Sequence, residues 1–381
     1  MELLDMKDKT AIVGVGYTPQ GKVPGRSGTS FFVESCRNAI EHAGLKPKDV
    51  DGIILQTQPA GSATPWTVSQ HLGIQPRFAV QQNQMGASAG GIAMHAAWAV
   101  STGLANYVVC GYAESSESKS SGYYRRGGGE ASAYGMFGAA AGYALAARRA
   151  MHEFGTGPHV WSHIAVNTRA WANLNPRAVM YNRKMTLEDY RNSRVVVEPF
   201  RLLDCCLMTD GGRAFVVTTA DRDKDLKNPP VLIMGVGQGH PAWDIARSDT
   251  MTGPTGAYAG GQTAFKMAGI TPKDVDAAEI YDCFTYTVEI SMIDYGFFRK
   301  GEGEAFFANG RTGPGGEFPV NTSGGLLSEV YFMGFGPLTE GVVQLMSQAG
   351  ERQVKDPKII LCSGNGGALQ SHATVILRKA N

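Results

Sequence analysis

The sequence predicts a mixed α/β protein made of a duplicated unit and layered α/β/α/β/α. Three observations carry that reading. First, "AIEHAGLKPKDVDGIIL" at 39–55 returns as "AFKMAGITPKDVDAAEI" at 264–280, so that Pro47 and Pro272 stand 225 positions apart. Second, the apolar stretches "AIVGVGYT" at 11–18 and "VLIMGVGQG" at 231–239 repeat at nearly the same offset. Third, strand-like and helix-like stretches alternate in each half, which implies parallel or mixed sheets with helices packed on them. Ordered self-similarity of this kind marks a structural repeat.

Each half opens on an apolar strand ending in Gly-Val-Gly. A helix follows and ends at Ala-Gly, where glycine supplies a left-handed C-cap. A Pro-Lys-Asp turn leads into a second strand. In the first half the glycine-rich turn "QMGASAGG" (84–91) comes next, then a helix over about 91–102 and the strand "NYVVCGYAE" (106–114). In the second half "NTSGGLLSE" (321–329) takes the turn's place, followed by a helix over about 338–349 and the strand "KIILCSG" (358–364). The expected boundaries are 1–228 for the N-terminal half and 229–381 for the C-terminal half. Residues from about 115 to 228 exceed what the repeat needs and read as a loop domain over the site.

Composition excludes several classes. The chain has 381 residues, 43% hydrophobic and 18% charged, with a net charge of +1. That suits a soluble globular protein and offers no electrostatic attraction for nucleic acid or an anionic membrane. Cysteines at 36, 110, 205, 206, 283 and 362 form no Cys-x-x-Cys, so neither a metal site nor a disulfide framework is expected. The opening "MELLDMKDKT" lacks an apolar core, so no signal peptide is expected. No run reaches the roughly 18 apolar residues of a membrane helix. A reducing cytoplasm is the expected compartment.

Chemistry concentrates at strand ends and glycine turns. "IYDCF" sets Tyr281 beside Asp282 at the end of a buried strand. On residue type alone Tyr281 reads as a core tyrosine with a satisfied hydroxyl. Tyr331, among Phe332, Met333 and Phe335, reads as core too. Cys205, Cys206 and Cys283 read as buried and inert. His240 in "GQGHP" and His95 in a helix read as structural. Arg125 and Arg126 in "YYRRGGG" stand either in a solvated loop or against phosphates.

Taken together, "GASAGGIAMHAAWAVSTGLANYVVCGYAE", "EPFRLLDCCLMTDGGRAFVVTT", "AEIYDCFTYTVEI", "NTSGGLLSE" and "CSGNGG" make the chain resemble the thiolase superfamily along nearly its whole length. Within it, the resemblance is to the sterol-carrier-protein-type thiolases and thiolase-like lipid-transfer proteins, nearest the steroid side-chain-cleaving aldolases. The resemblance implies a site built from four loops. It puts Gly86 or Ala87, with Ser88 beside them, where thiolases carry the nucleophilic cysteine. It puts Tyr281 in a histidine's place, ahead of Asp282, and Tyr331 where Gly-His-Pro has its histidine. Gly324 and Gly325 fall in the third loop, and Cys362, Asn365 and Gly366 in the fourth. Tyr281, Tyr331 and Cys362 are thereby candidate catalytic residues. Gly86, Ala87, Ser88, Asp282, Gly324, Gly325, Asn365, Gly366 and His240 are candidate contacts for substrate and coenzyme A.

Without a cysteine at that position no acyl-enzyme forms there, which argues against thiolytic chemistry. Retro-aldol cleavage of a bulky β-hydroxyacyl-CoA remains, with one phenol as base and the other as acid or enolate stabiliser. Tyr331 is favoured as base. A free phenol titrates near 10, so a tyrosinate at pH 7 costs about 4 kcal/mol that neighbours must offset. The rival readings are a thiolase for an aromatic or dicarboxylic β-ketoacyl-CoA that uses Cys362, and a non-catalytic acyl-CoA or lipid-binding protein. The resemblance further implies no bound cofactor beyond the substrate's own coenzyme A, a homodimer formed near residues 80–115, and a small OB-fold/zinc-ribbon partner protein.

Overall fold

The structure, a computed structural model, describes residues 6–57, 63–116, 118, 130–136, 138–241 and 251–380. The first half runs β1 (Thr10–Tyr17), α1 (Gly28–His42), β2 (Gly52–Gln56), α2 (Pro65–Leu72), β3 (Phe78–Gln81), α3 (Ser88–Ser101) and β4 (Tyr107–Ser115). Between β4 and the next strand of the half-sheet lie α4 (Glu130–Ala133), α5 (Gly138–Phe154), α6 (Pro158–Ala172), α7 (Leu187–Asn192) and the short pair β5 (Val195–Val197) and β6 (Phe200–Arg201). β7 (Asp210–Thr219) then closes the half. The second half runs β8 (Val231–Gly239), α8 (Gly256–Ala268), β9 (Ala277–Glu279), α9 (Thr285–Tyr295), α10 (Gly303–Phe307), α11 (Phe335–Leu345), β10 (Ile359–Gly366) and β11 (Ser371–Lys379).

The two halves order their strands alike. The nine-stranded sheet runs β3-β2-β4-β7-β1-β8-β11-β10-β9, so β1, β7, β4 and β2 match β8, β11, β10 and β9 outward from the middle. Pairing senses match as well: β1–β7 and β4–β7 are antiparallel, as are β8–β11 and β10–β11, whereas β2–β4 and β9–β10 are parallel. The half-sheets meet at a short antiparallel seam, Ala11 opposite Leu232 and Ile12 opposite Val231. α1 packs on β1, β7 and β4 from one outer side, and α8 on β8 and β11 from the other. α3 and α11 each touch strands of both half-sheets and form the middle layer.

Local chemistry explains the repeat. A Cβ on Gly16 would come within 2.0 Å of the Ser35 carbonyl of α1, and one on Gly237 within 2.1 Å of the Gly260 carbonyl of α8. Helix backbone lies directly on strand backbone there, which only glycine permits. The two Pro-Lys-Asp turns are 3-10 turns in which Asp49 and Asp274 accept the N–H of Lys46 and Thr271, both at 2.8 Å. α3 can sit between two sheets because it is rich in alanine and glycine and mostly buried.

One boundary needs correction. The stretch read as a loop domain, 115–228, includes β7, which pairs with β1 and β4 as a strand of the half-sheet. The excess over the repeat is the α4–β6 segment. A Val-rich run such as 214–219 reads equally well as strand or as loop-domain core until its pairing is known.

Candidate active site

Four turns converge at the ends of α3, β9, α11 and β10. They surround a cavity of about 250 Å³ lined by Met85, Gly86, Tyr281, Cys283, Tyr331, Met333, Asn365 and Gly366, with Tyr143 of α5 and Cys206 completing the wall. No lining residue among those described carries a charge. Tyr281 and Tyr331 are each 3% exposed, and their hydroxyls lie 3.1 Å apart. The Tyr331 hydroxyl also donates to the Met333 sulfur at 3.3 Å. Thr209 clamps the Tyr331 backbone, accepting its N–H at 3.0 Å and donating to its carbonyl at 3.1 Å.

The turn before α3 approaches this pair as bare backbone. A Cβ on Gly86 would meet the Asn365 carbonyl at 2.0 Å and the Tyr281 ring at 2.4 Å. Ala87 and Ser88 begin the buried helix behind the wall, and the Ser88 hydroxyl accepts the Gln84 N–H at 2.7 Å. Met85 adopts φ +51° and is 56% exposed at the rim.

Asp282 faces the third loop. It accepts the N–H groups of Leu326 at 2.8 Å and Leu327 at 3.2 Å. Gly325, at φ +54°, leaves room for that carboxylate, since a Cβ there would stand 2.1 Å from its oxygen. Gly324 (φ +102°) packs on Ala172 of α6. Burial pushes the Asp282 carboxyl up to about 7 against the pull of those N–H donors. Asp282, Gly324 and Gly325 therefore shape the loop that leads to Tyr331 and do not line the cavity.

Cys362 and His240 stand apart from the lining. Cys362 packs under α11, where a Cβ on Gly341 would meet its sulfur at 2.5 Å. Burial, then the Glu279 and Glu340 carboxylates, push its thiol well up. Cys362 sits inside β10, before the strand reaches the cavity, and is not among the residues that line it. His240 is exposed at the end of β8, its Nε2 3.1 Å from Gln238 Oε1. Arg125 and Arg126 lie outside the described residues.

Sequence reasoning missed Tyr143, Met333 and the placement of Cys206 and Cys283. Tyr143 and Cys206 come from the α4–β6 segment and its flank, which the repeat does not describe, so no spacing signal marked them. Cys283 follows Asp282 directly, yet its thiol forms part of the cavity wall. Burial pushes that thiol up to about 12 and the Cys206 thiol well above the usual range. Neither is a ready nucleophile. No group of three His, Cys, Asp or Glu side chains among the described residues is arranged to hold a metal. No helix among them is long and apolar enough to cross a membrane.

Comparison with known proteins agrees with this geometry. The family described as thiolase C-terminal domain-like matches residues 237–379. A steroid side-chain-cleaving aldolase of Thermomonospora curvata is 36% identical over 374 residues, 93% of this chain and 95% of that protein. The 17-hydroxy-3-oxo-4-pregnene-20-carboxyl-CoA lyase of Mycobacterium tuberculosis is 35% identical over 379 residues, 95% of this chain and 97% of that one. The solved structure of an Ltp2-ChsH2(DUF35) aldolase superposes with a TM-score of 0.90 at 36% identity, covering 98% of each chain. With its duplicated half-sheets, its four converging loops and these full-length likenesses, the chain belongs to the thiolase superfamily, in the sterol-carrier-protein-type branch that contains the steroid side-chain-cleaving aldolases.

Proposed function

We propose that the chain is a carbon–carbon lyase that cleaves a bulky β-hydroxyacyl-CoA by a retro-aldol reaction, a steroid side-chain thioester being the substrate class its relatives suggest. The observation that carries this is the pair of buried phenol oxygens 3.1 Å apart, beside a glycine whose missing side chain leaves no nucleophile. Tyr331, ionised and stabilised by the Tyr281 O–H, takes the proton of the substrate's β-hydroxyl. The Cα–Cβ bonding pair moves onto the thioester as an enolate, and a ketone or aldehyde departs. Tyr331 then returns the proton to Cα, giving the shorter acyl-CoA and restoring the starting state. Neither water nor free coenzyme A is consumed. The uncharged, low-dielectric wall strengthens the hydrogen bonds that hold the developing charge.

A cavity of about 250 Å³ takes the reacting end of an acyl chain and not a whole sterol. The remainder of the substrate lies outside it, against surface that a second protein would cover. A small OB-fold/zinc-ribbon partner fits that need, and the Ltp2-ChsH2(DUF35) complex supports it. β3 ends the sheet and, within it, pairs only with β2, which favours a homodimer formed along that edge.

The test is incubation of the protein, alone and with its co-purifying partner, with a tertiary β-hydroxyacyl-CoA and no added coenzyme A. Mass spectrometry should find the ketone and the shortened acyl-CoA in equal amounts. Turnover that demands free coenzyme A, or a trapped acyl-enzyme, overturns the reading in favour of a thiolase.

A further inference from the structure

Resting on the aldolase reading, we infer that Tyr143 is a third catalytic phenol, the hydrogen-bond donor to the enolate oxygen. The Tyr281–Tyr331 pair cannot fill that role while it works as a base. When the Cα–Cβ bond breaks the pair holds two protons: the one Tyr331 has just taken is due to Cα, and the Tyr281 O–H is committed to the Tyr331 oxygen 3.1 Å away. The thioester oxygen, which gains the charge when the Cα–Cβ bond breaks, needs its own donor. Among the described side chains of the wall, O–H and N–H groups outside the pair belong only to Tyr143 and Asn365, and thiols to Cys206 and Cys283. Thiols are weak donors.

Asn365 already spends its Oδ1 and one of its two N–H groups, the latter on Tyr143 itself. Its Oδ1 accepts the Leu369 N–H at 3.2 Å, and its Nδ2 donates to the Tyr143 hydroxyl at 2.9 Å. The Tyr143 oxygen thereby receives a proton from Asn365, which leaves its own O–H to be given away. That hydroxyl has the Cys283 thiol as a neighbour in the same wall. Sulfur is a poor acceptor, so an incoming thioester oxygen replaces it at a gain. The chain Leu369 to Asn365 to Tyr143 also polarises the phenol and makes it a stronger donor than an isolated one. Packing against Phe284, with ring centroids 4.9 Å apart and planes tilted by 38°, fixes where the hydroxyl sits.

The test separates this role from the base. Tyr143→Phe keeps the ring and its packing. Cleavage of the β-hydroxyacyl-CoA should lose about 10²–10³-fold in kcat with KM little changed, the effect of removing one oxyanion donor. Exchange of the α-hydrogens of propionyl-CoA for deuterium in heavy water, which passes through the same enolate without any Cα–Cβ cleavage, should fall by a similar factor. Asn365→Leu should lower both rates as well, and a thermal midpoint within a few degrees of wild type shows that each variant folds. Wild-type exchange in Tyr143→Phe overturns the inference, whether or not cleavage is impaired. If the wild-type protein exchanges deuterium but cleaves nothing, the aldolase reading falls, and the exchange rate of Tyr143→Phe still decides the donor.

Discussion

The Tyr281 ring occupies the space that a side chain on residue 86 would need, 2.4 Å from where a Gly86 Cβ would stand. The bare backbone at 86 and the phenol after β9 therefore go together. A cysteine at 86 and a tyrosine at 281 cannot share this cavity in its present shape.

Gly86→Cys should accordingly fail to restore thiolytic activity and should abolish cleavage. The new Cβ also meets the Asn365 carbonyl at 2.0 Å, a backbone atom that no rotamer change moves aside. Overpacking of this kind costs about 1–3 kcal/mol, to be read as a lowered urea midpoint. Combining it with Tyr281→Ala should recover only part of the stability, because the contact with Asn365 persists.

Tyr281→Phe and Tyr331→Phe should each reduce kcat/KM for the β-hydroxyacyl-CoA by about 10²–10⁴-fold. Since the two hydroxyls act as one proton-sharing unit, the double variant should lose far less than the product of the two single losses. Fully additive losses, measured in a double-mutant cycle, would show the hydroxyls working independently.

Asp282 gives a pH signature. Its folded-state carboxyl sits at about 7, above the value near 4 of an unfolded aspartate, so the folded chain holds the proton more tightly. Its contribution to stability is complete in acid and is lost as pH rises from about 4 through 7. Asp282→Asn removes that titration and leaves one of the Leu326 and Leu327 N–H groups without its acceptor. The stability advantage of wild type over Asp282→Asn should thus be largest near pH 4 and shrink steadily towards pH 8. An advantage that grows with pH would contradict the assignment.

Cys206 and Cys283 should react slowly with iodoacetamide at pH 7.5, because burial holds both thiols protonated. An acyl-CoA in the cavity should slow them further. Mass-spectrometric labelling of intact and urea-unfolded protein checks both statements, and rapid labelling of the folded protein would place a thiolate in the wall.

Much of the fold was legible because duplication wrote it twice. The Ala-Gly helix ends at Gly44 (φ +80°) and Gly269 (φ +69°), and the Pro-Lys-Asp turns at 47–49 and 272–274, recur with the same geometry. Tyr281 and Tyr331 were found through the resemblance; by residue type they were core aromatics, and their burial agrees with that plainer reading too. Cys362 lies behind the lining formed by Asn365 and Gly366; a motif records order along a strand and not which residue the strand's end exposes. Tyr143 escaped because α5 has no counterpart in the other half, and a lone tyrosine in an alanine-rich helix resembles any packed helix residue. The pairing of Tyr143 with Asn365 spans 222 positions and becomes visible only in three dimensions.

The central placement of α3 and α11 bears on how such an enzyme is inherited and assembled. Each lies against strands of both repeats, and the cavity lining is divided in the same way: Gly86 and Tyr143 from the first half, Tyr281 and Tyr331 from the second. Neither half by itself supplies the whole wall of the cavity. Catalysis belongs to their association, and two separately expressed fragments joined at the 228/229 boundary should be inert apart and active once mixed.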